Sequence, residues 1–515
     1  WSEPGSFLIQ GFMQKMASRL TVKALIASLL IAFLPQAVLP VQAQPQLPAL
    51  GDGGDMTASA ERRLGDGIIR HLYRDPDYID DPVLVEYVQT LWQALLAAAR
   101  ERGELPPELD ERFAWEVLLG RDRTVNAFAL PGGYLGVHLG LIGVVASRDE
   151  LASVLAHELS HVTQRHIARL ITQQNRQTPL MIGAMILGAL AASKSPHAAQ
   201  ALAMGGQALV VQNQLNFSRD MEREADRVGY GLMAPAGFAP QGFAAMFEKL
   251  QQANRINDNG SWPYLRSHPL TTERLADVQA RQLQAMPAPP PTLEHALLAA
   301  RARVLAQPGV EVLRQWMAEP EGGGFAALPA ARRAAALYAA VLAASQLREP
   351  AVARALHPRL LQAVQGDAAA LRQARLLAAE VELAAGDAAS AWRLVPAGEQ
   401  RPERMLRAQA GLRAEQVGDL AGPLQTWVAL HPRDAGMWQL LSSVWQAQGQ
   451  PLRAVRAEAE AHATRYDYAA AVDRFKAGQD LARQSRTAAD HVEASIIDTR
   501  LRAVESLLRE QAAER

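Results

Sequence analysis

The stretch Ser147-Arg148-Asp149-Glu150-Leu151-Ala152-Ser153-Val154-Leu155-Ala156-His157-Glu158-Leu159-Ser160-His161-Val162 decides how the rest of the chain is read. Ser147 and Glu150 have the spacing of a capping box, in which each side chain takes up a backbone donor left unpaired at a helix start. Leu151, Val154, Leu155, Val162 and Leu170 recur at helical spacing, so one side of this helix is expected to be buried. His157 and His161, four apart, project from neighbouring turns of the same face and can close on one zinc ion. Glu158 lies about 100° round the helix from His157. There a carboxylate can act as a base toward an attacking water instead of ligating the metal.

Two histidines at this spacing also occur by accident on surface helices, so the reading needs a third ligand. Phe217-Ser218-Arg219-Asp220-Met221-Glu222-Arg223-Glu224-Ala225-Asp226 reads as a second helix with Glu222 and Asp226 four apart. A catalytic zinc takes three protein ligands and keeps a fourth position open, and Glu222 can complete the set. Asp226, one turn on, can accept a hydrogen bond from the distal nitrogen of a ligating histidine and fix its tautomer. Without the first motif, the same two acids would read as a solvated helix face.

Three segments carry a wider likeness: Asn126-Ala127-Phe128-Ala129-Leu130-Pro131-Gly132-Gly133, then Glu150 to Ala156 running into the histidine motif, then Glu222-Arg223-Glu224-Ala225-Asp226-Arg227. Together they resemble the gluzincin metalloproteases, and among these the prenyl-protein and HtpX-like peptidases. The specific motifs span Asn126 to Arg274. A branch of that family with a secretory leader and a helical-repeat tail resembles the chain loosely to its end. The resemblance implies a periplasmic zinc metalloendopeptidase holding one zinc ion. Its substrates would be unfolded or misassembled outer-membrane proteins, and its repeat half would dock on the barrel-assembly machinery. It also marks the histidine of Ser267-His268-Pro269 as a regulatory position near the zinc, where His268 would be a fourth ligand that keeps the enzyme latent. A donor to the transition state and a plain loop-capping histidine are the other readings of His268. Arg274 matches the same motif without a role that follows from its position.

Taken in order, the 515 residues suggest more than one domain, and a net charge of −1 gives no sign of a nucleic-acid partner. Trp1 to Lys15 reads as upstream sequence. Arg19 and Lys23 then precede an apolar run from Ala24 to Leu34, and Val41-Gln42-Ala43 offers a small-residue cleavage site, so residues 1–43 are expected to hold a signal peptide. The absence of cysteine excludes disulfides and a lipid-modified cysteine.

Residues 44–286 are assigned to an α+β metallopeptidase domain. Met56 to Tyr73 and Pro82 to Ala99 show helical patterns. Phe113 to Leu119, Asn126 to Leu130 and Tyr134 to His138 are expected to form a small antiparallel sheet. Asn126, Ala127, Phe128 and Ala129 are the candidate edge strand that pairs with an extended substrate, a role drawn from the family resemblance. His138 and His166 are read as structural or surface histidines. Pro179 to Ala192 is almost free of polar residues but, at fourteen residues, is too short to span a bilayer. It is expected either to lie over the cleft or to make a peripheral contact with lipid or client protein.

Residues 287–292, with Pro287-Ala288-Pro289-Pro290-Pro291, read as a stiff linker. Residues 293–515 read as an all-α tetratricopeptide solenoid. Gly386, Gly418 and Gly449 are spaced 32 and 31 residues apart, and Trp438, Leu441, Trp445, Ala454 and Ala461 sit at the offsets of a repeat helix pair. Such arrays recognise proteins, which leaves a chaperone or assembly scaffold with a seldom-used metal site as the alternative function.

Overall fold

The computed structural model describes residues 56–173, 217–255, 261–282, 289–396, 398–484 and 488–513. The expected leader at 1–43, the apolar run Pro179 to Ala192 and the first half of the proline run lie outside the described residues. Residues 54–515 form one compact unit.

The N-terminal half begins with helix α1, Ala58–Leu72, whose first turn is capped by the Thr57 hydroxyl. A short strand β1, Tyr78–Ile79, precedes α2, Pro82–Glu101. Asp81 accepts a hydrogen bond from the Leu84 N–H, and Pro82 fits the first helical position, where no backbone donor is needed. After α3, Pro107–Arg112, come the strands β2, Glu116–Gly120, β3, Ala127–Leu130, and β4, Tyr134–His138. Next are α4, Leu139–Val144, α5, Arg148–Thr163, and α6, His166–Gln173. They are followed by α7, Arg219–Met233, α8, Gln241–Arg255, α9, Tyr264–Ser267, and α10, Thr272–Gln282.

The sheet differs from the antiparallel meander expected from the sequence. Its order is β1-β2-β4-β3, with β2 and β4 parallel and the two outer pairs antiparallel. The turn at Pro131-Gly132-Gly133 folds β3 back on β4, with Gly132 at φ 77° and Gly133 at φ 83°, backbone that glycine adopts without strain. All five residues of β4 are buried, which suits a central strand, and β2 therefore pairs on its other side. This arrangement leaves β3 at the edge. His138 N–H donates to the Asn126 carbonyl, so Asn126, Phe128 and Leu130 direct their main-chain groups at β4, while Ala127 and Ala129 direct theirs to the free edge.

Helix α5 packs against β3, α2, α7 and α8. The sequence pattern predicted one buried side, but Asp149 through Thr163 are all buried. The helix is enclosed because the polar residues on its other face are satisfied by partners inside the protein. The Ser147 hydroxyl accepts from the Glu150 N–H as predicted, while the Glu150 carboxylate reaches back one residue further, to the Ala146 N–H. The helical run also stops earlier than the spacing of Leu170 implied: Arg165 has φ 53°, and Leu170 lies half-buried on the separate helix α6.

From Leu293 to Ala513 the regular structure of the described residues is all helical, in twelve α-helices and two short 3-10 turns. Gly386 and Gly449 close helices with φ 82° and 69°, and the following N–H groups of Asp387 and Gln450 return to the carbonyls of Glu382 and Trp445. Among the described residues between them, the left-handed one is Glu415, φ 58°, and not Gly418. The side chains of Trp438, Leu441, Trp445, Ala454 and Ala461 share one buried cluster between the helices Ala435–Ala447 and Pro451–Thr464.

One hydrophobic core runs through both halves. Leu298, Ala302, Leu376, Leu383, Leu406 and Ala410 belong to the same cluster as Leu91, Leu95, Leu151 and Leu155. Buried ionic contacts cross the same boundary. The Arg301 guanidinium donates to Asp81 at 2.6 and 2.9 Å and to Glu380 at 2.8 and 3.0 Å, and Arg401 joins Asp80 to Asp434.

Candidate metal centre

Helices α5 and α7 pack closely enough to bring their polar turns together because Gly229 of α7 has no side chain. A Cβ there would lie 3.0 Å from the carbonyl of Ala156 and the N of His157. The α7 start is fixed by Ser218, whose hydroxyl accepts from the Met221 N–H, and this orients Glu222 and Asp226 toward α5. The third contribution is the turn after α9, where the His268 N–H bonds to the Tyr264 carbonyl and Pro269 ends the helix.

These elements bring His157, His161, Glu222 and His268 together, all buried, with one ligand atom from each lying within 4.8 Å of every other. His157 Nε2 is 3.0 Å from His161 Nε2, 3.3 Å from His268 Nδ1 and 3.5 Å from Glu222 Oε2. Glu222 Oε1 is 3.0 Å from His268 Nδ1 and 3.5 Å from His161 Nε2. Ligands held at about 2.0–2.1 Å around a tetrahedral ion stand about 3.3 Å apart, so this donor set fits one such cation. The walls are aromatic. Phe217 stacks on His161 with ring centroids 3.9 Å apart, and Tyr264 stacks on His268 at 4.5 Å.

Glu158 faces the cluster from the same helix. Its Oε2 accepts from the Ala129 N–H at 2.9 Å, while Oε1, fully buried and without a hydrogen bond, lies 3.4 Å from His268 Nε2. The candidate substrate strand is therefore closed in this conformation. Ala127 and Ala129 are buried, and the donor that Ala129 directs to the free edge is taken by Glu158.

Asp226 accepts from His157 Nδ1 at 2.9 Å, as the helical spacing anticipated. The sequence did not reveal what holds Asp226. Arg274, buried, donates to its two carboxylate oxygens at 2.6 and 2.8 Å, donates to the Pro269 carbonyl, and lies 2.8 Å from Glu222 Oε2. One guanidinium thus contacts two buried acids, which His157 also faces. His166, read from the sequence as structural or surface, is fully buried beside His161, with its Nδ1 2.9 Å from that of His161. His138 stays outside the cluster, at the end of β4 beside Thr124.

Charge in the cluster follows from these contacts. Burial opposes protonation of His157, but its bonds to Asp226 and Glu222 outweigh that and lift its pKa to about 9. His161 is held well below the usual histidine range by burial and by the charge on His157. Burial raises the carboxyl of Glu222, and the neighbouring His268 and His157 more than reverse this, holding it well below the usual range. Asp226 is likewise lowered against its burial by Arg274. Positive charge in the site is thus attracted by two ionised acids, and a divalent cation can take the place of the His157 proton.

Comparison with known proteins bears directly on this cluster. The profile of peptidase family M48 matches residues 88–282, which contain every residue of the site. The beta-barrel assembly-enhancing protease of Escherichia coli K12 is 31% identical over 465 residues, 87% of this chain and 90% of that protein. The chain belongs to the beta-barrel assembly-enhancing proteases of peptidase family M48. A Vibrio cholerae relative of the same description is 36% identical over 286 residues, covering 54% of this chain and 57% of its own length. The mitochondrial metalloendopeptidase OMA1 of Arabidopsis thaliana is 33% identical over 164 residues, 32% of this chain. Family membership makes the chain a metalloendopeptidase, and the buried histidine and carboxylate cluster is where its metal fits.

Proposed function

We propose that the chain is a periplasmic zinc endopeptidase that degrades unfolded or misassembled outer-membrane proteins, with His268 holding it latent. The observation that carries this reading is the convergence of His157, His161, Glu222 and His268 beside the buried carboxylate of Glu158. When bound there, zinc supplies Lewis acidity to the scissile carbonyl and to the attacking water. Asp226 keeps the proton of His157 on Nδ1 and leaves Nε2 free as a ligand. Arg274 keeps Asp226 ionised and in place.

Glu158 takes the proton of the attacking water and returns it to the leaving amine. Its Oε1, which has no hydrogen bond, can do so while Oε2 holds the Ala129 N–H; release of that bond frees the N–H to donate to an extended substrate added along the edge of β3. His268 must withdraw in the same step, since its ring lies between Glu222 and Glu158. Latency would follow if His157, His161, Glu222 and His268 all held the cation, since four protein ligands would leave no position for water.

The helical half supports the second part of the reading. Its paired helices and left-handed closing residues suit a tetratricopeptide array that docks on the barrel-assembly machinery, and residues 44–286 and 293–515 then divide chemistry from recognition. The beta-barrel assembly-enhancing protease names of the relatives favour the same location and client class. Contact of the Pro179 to Ala192 run with lipid or client belongs to this proposal as well. The filled donor set also favours a scaffold reading, in which the metal site is seldom opened.

The test is proteolysis of an unfolded outer-membrane β-barrel protein by the full chain, with and without a chelator, beside the Glu158→Gln and His268→Ala variants. Weak cleavage by the parent, faster cleavage by His268→Ala and none by Glu158→Gln are expected, with all cleavage abolished by the chelator. Equal cleavage by parent and Glu158→Gln would overturn the role of Glu158, and none by any of the three while the barrel-assembly machinery still binds would overturn the peptidase reading in favour of the scaffold.

A further inference from the structure

His166 is outside the set of candidate ligands, yet none of its surface is exposed. On an uninterrupted helix, a residue five positions after His161 would point about 140° away from it. The left-handed Arg165, φ 53°, resets the direction of the chain between α5 and α6 and brings His166 back beneath the His161 ring. Arg165 is itself pinned: its guanidinium donates to the buried carboxylate of Glu61 at 3.1 Å and to the Met56 carbonyl. This conformation costs a non-glycine residue about 1 kcal/mol or more, so the packing around it must hold it.

The contacts of His166 run in series. Its Nε2 is 3.1 Å from Glu224 Oε2, and the same carboxylate oxygen accepts from Arg169 Nη1 at 2.9 Å. A carboxylate only accepts, so the proton between Glu224 and His166 belongs to His166 Nε2. Neutral His166 then has its lone pair on Nδ1, 2.9 Å from Nδ1 of His161. Two lone pairs cannot face each other at that distance, so His161 carries its proton on Nδ1. Its own lone pair is left on Nε2, the nitrogen that converges with Nε2 of His157.

We infer that His166 and Glu224 form a relay that positions His161 for the metal by fixing its tautomer and ring orientation. It is the longer counterpart of the single Asp226 bond that serves His157. Phe217, stacked on the His161 ring, holds the plane of the imidazole but cannot choose between its nitrogens. The relay makes that choice. Both of its members act through His161 and neither touches substrate, and the inference rests on the reading of His157, His161 and Glu222 as ligands.

The experiment is zinc affinity of the full chain, measured by competition with a chromophoric chelator, with circular dichroism to verify folding. His166→Phe fills the volume without either nitrogen and is expected to weaken zinc binding about 10–100-fold. His166→Gln can present an acceptor to His161 and a donor to Glu224, and is expected to recover most of that loss. Glu224→Ala, at a partly exposed position, should weaken binding in the same direction. The double variant His166→Phe/Glu224→Ala should be no worse than His166→Phe, because links of one series are not additive. Unchanged affinity in folded His166→Phe, or full additivity in the double variant, overturns the relay while leaving the metal site standing. If His166→Phe does not fold, unchanged affinity in Glu224→Ala overturns it equally. A parent chain that binds no zinc would remove the ligand reading itself.

Discussion

Glu158 Oε2 and the main-chain N–H of Ala129 are joined by a 2.9 Å hydrogen bond between the centre of α5 and the edge of β3. That bond ties the proposed base to the strand proposed to receive substrate, so the Ala129 N–H cannot pair with a substrate until it opens. Glutamine can accept the same bond. Glu158→Gln is therefore expected to melt within a degree or two of the parent and to retain its metal. Hydrolysis should fall about 10²–10⁴-fold or more, the usual contribution of a positioned general base. A variant that loses metal or stability instead would show that Glu158 is structural.

Among the described residues, Arg274 is the one guanidinium that contacts both the Glu222 and Asp226 carboxylates, and all three residues are buried. Arg274→Ala leaves both acids with only their histidine contacts and is expected to cost about 3–5 kcal/mol of folding stability in urea titrations of the metal-free chain. Arg274→Lys should not restore it, because a compact ammonium cannot reproduce the two parallel bonds to Asp226. Full rescue by lysine would show that charge alone is required.

At Gly229, α7 lies close against the α5 backbone at Ala156 and His157. Gly229→Ala must spread the two helices, at about 1–3 kcal/mol for overpacking, and should loosen metal binding as Glu222 moves off. Gly67→Ala on α1 is the control, since a Cβ there meets nothing within 4 Å. That substitution is expected to be neutral or stabilising by about 0.5–1 kcal/mol. Equal effects at both positions would contradict the close-approach account.

The buried contact between α2 and the first helix of the C-terminal half makes a pH prediction. His295 Nε2 donates to the Val145 carbonyl at 3.1 Å, so its Nδ1 accepts from the Tyr87 hydroxyl at 2.7 Å. Burial, only partly offset by the Val145 bond, lowers the His295 pKa below the usual 6.5. The unfolded chain then binds more protons than the folded one in the window just below about 6.5, so stability falls as pH falls through it and levels out below the folded-state pKa. The melting temperature of the parent should drop more steeply between pH 7.5 and 5.5 than that of His295→Gln. Parallel slopes would remove His295 as the cause.

What could be read in the sequence was whatever a single helix determines. His157 with His161, and Glu222 with Asp226, are four apart, and that spacing alone puts each pair on one face. His268 was found through its Ser-His-Pro context and the family resemblance. His166 could not be reached by spacing, because its position depends on one left-handed residue, Arg165, that a distant glutamate holds. Arg274 acts 48 residues from Asp226, and nothing local marks the contact. The strand segments were evident from alternation, but their order was not, since the parallel pairing of β2 with β4 is set by the burial of β4 on both faces. The shared core of the two halves was hidden for the same reason: an alanine-rich helix face does not declare which surface it will cover.

In the proposed latent protein His157, His161, Glu222 and His268 all hold one metal ion. X-ray absorption at the zinc edge on the purified full chain, beside His268→Ala, counts those ligands. One zinc per chain with three imidazoles and one carboxylate is expected, with a single imidazole lost in the variant and cleavage of unfolded substrate increased. A zinc with two imidazoles in both proteins, or no bound metal, would contradict it.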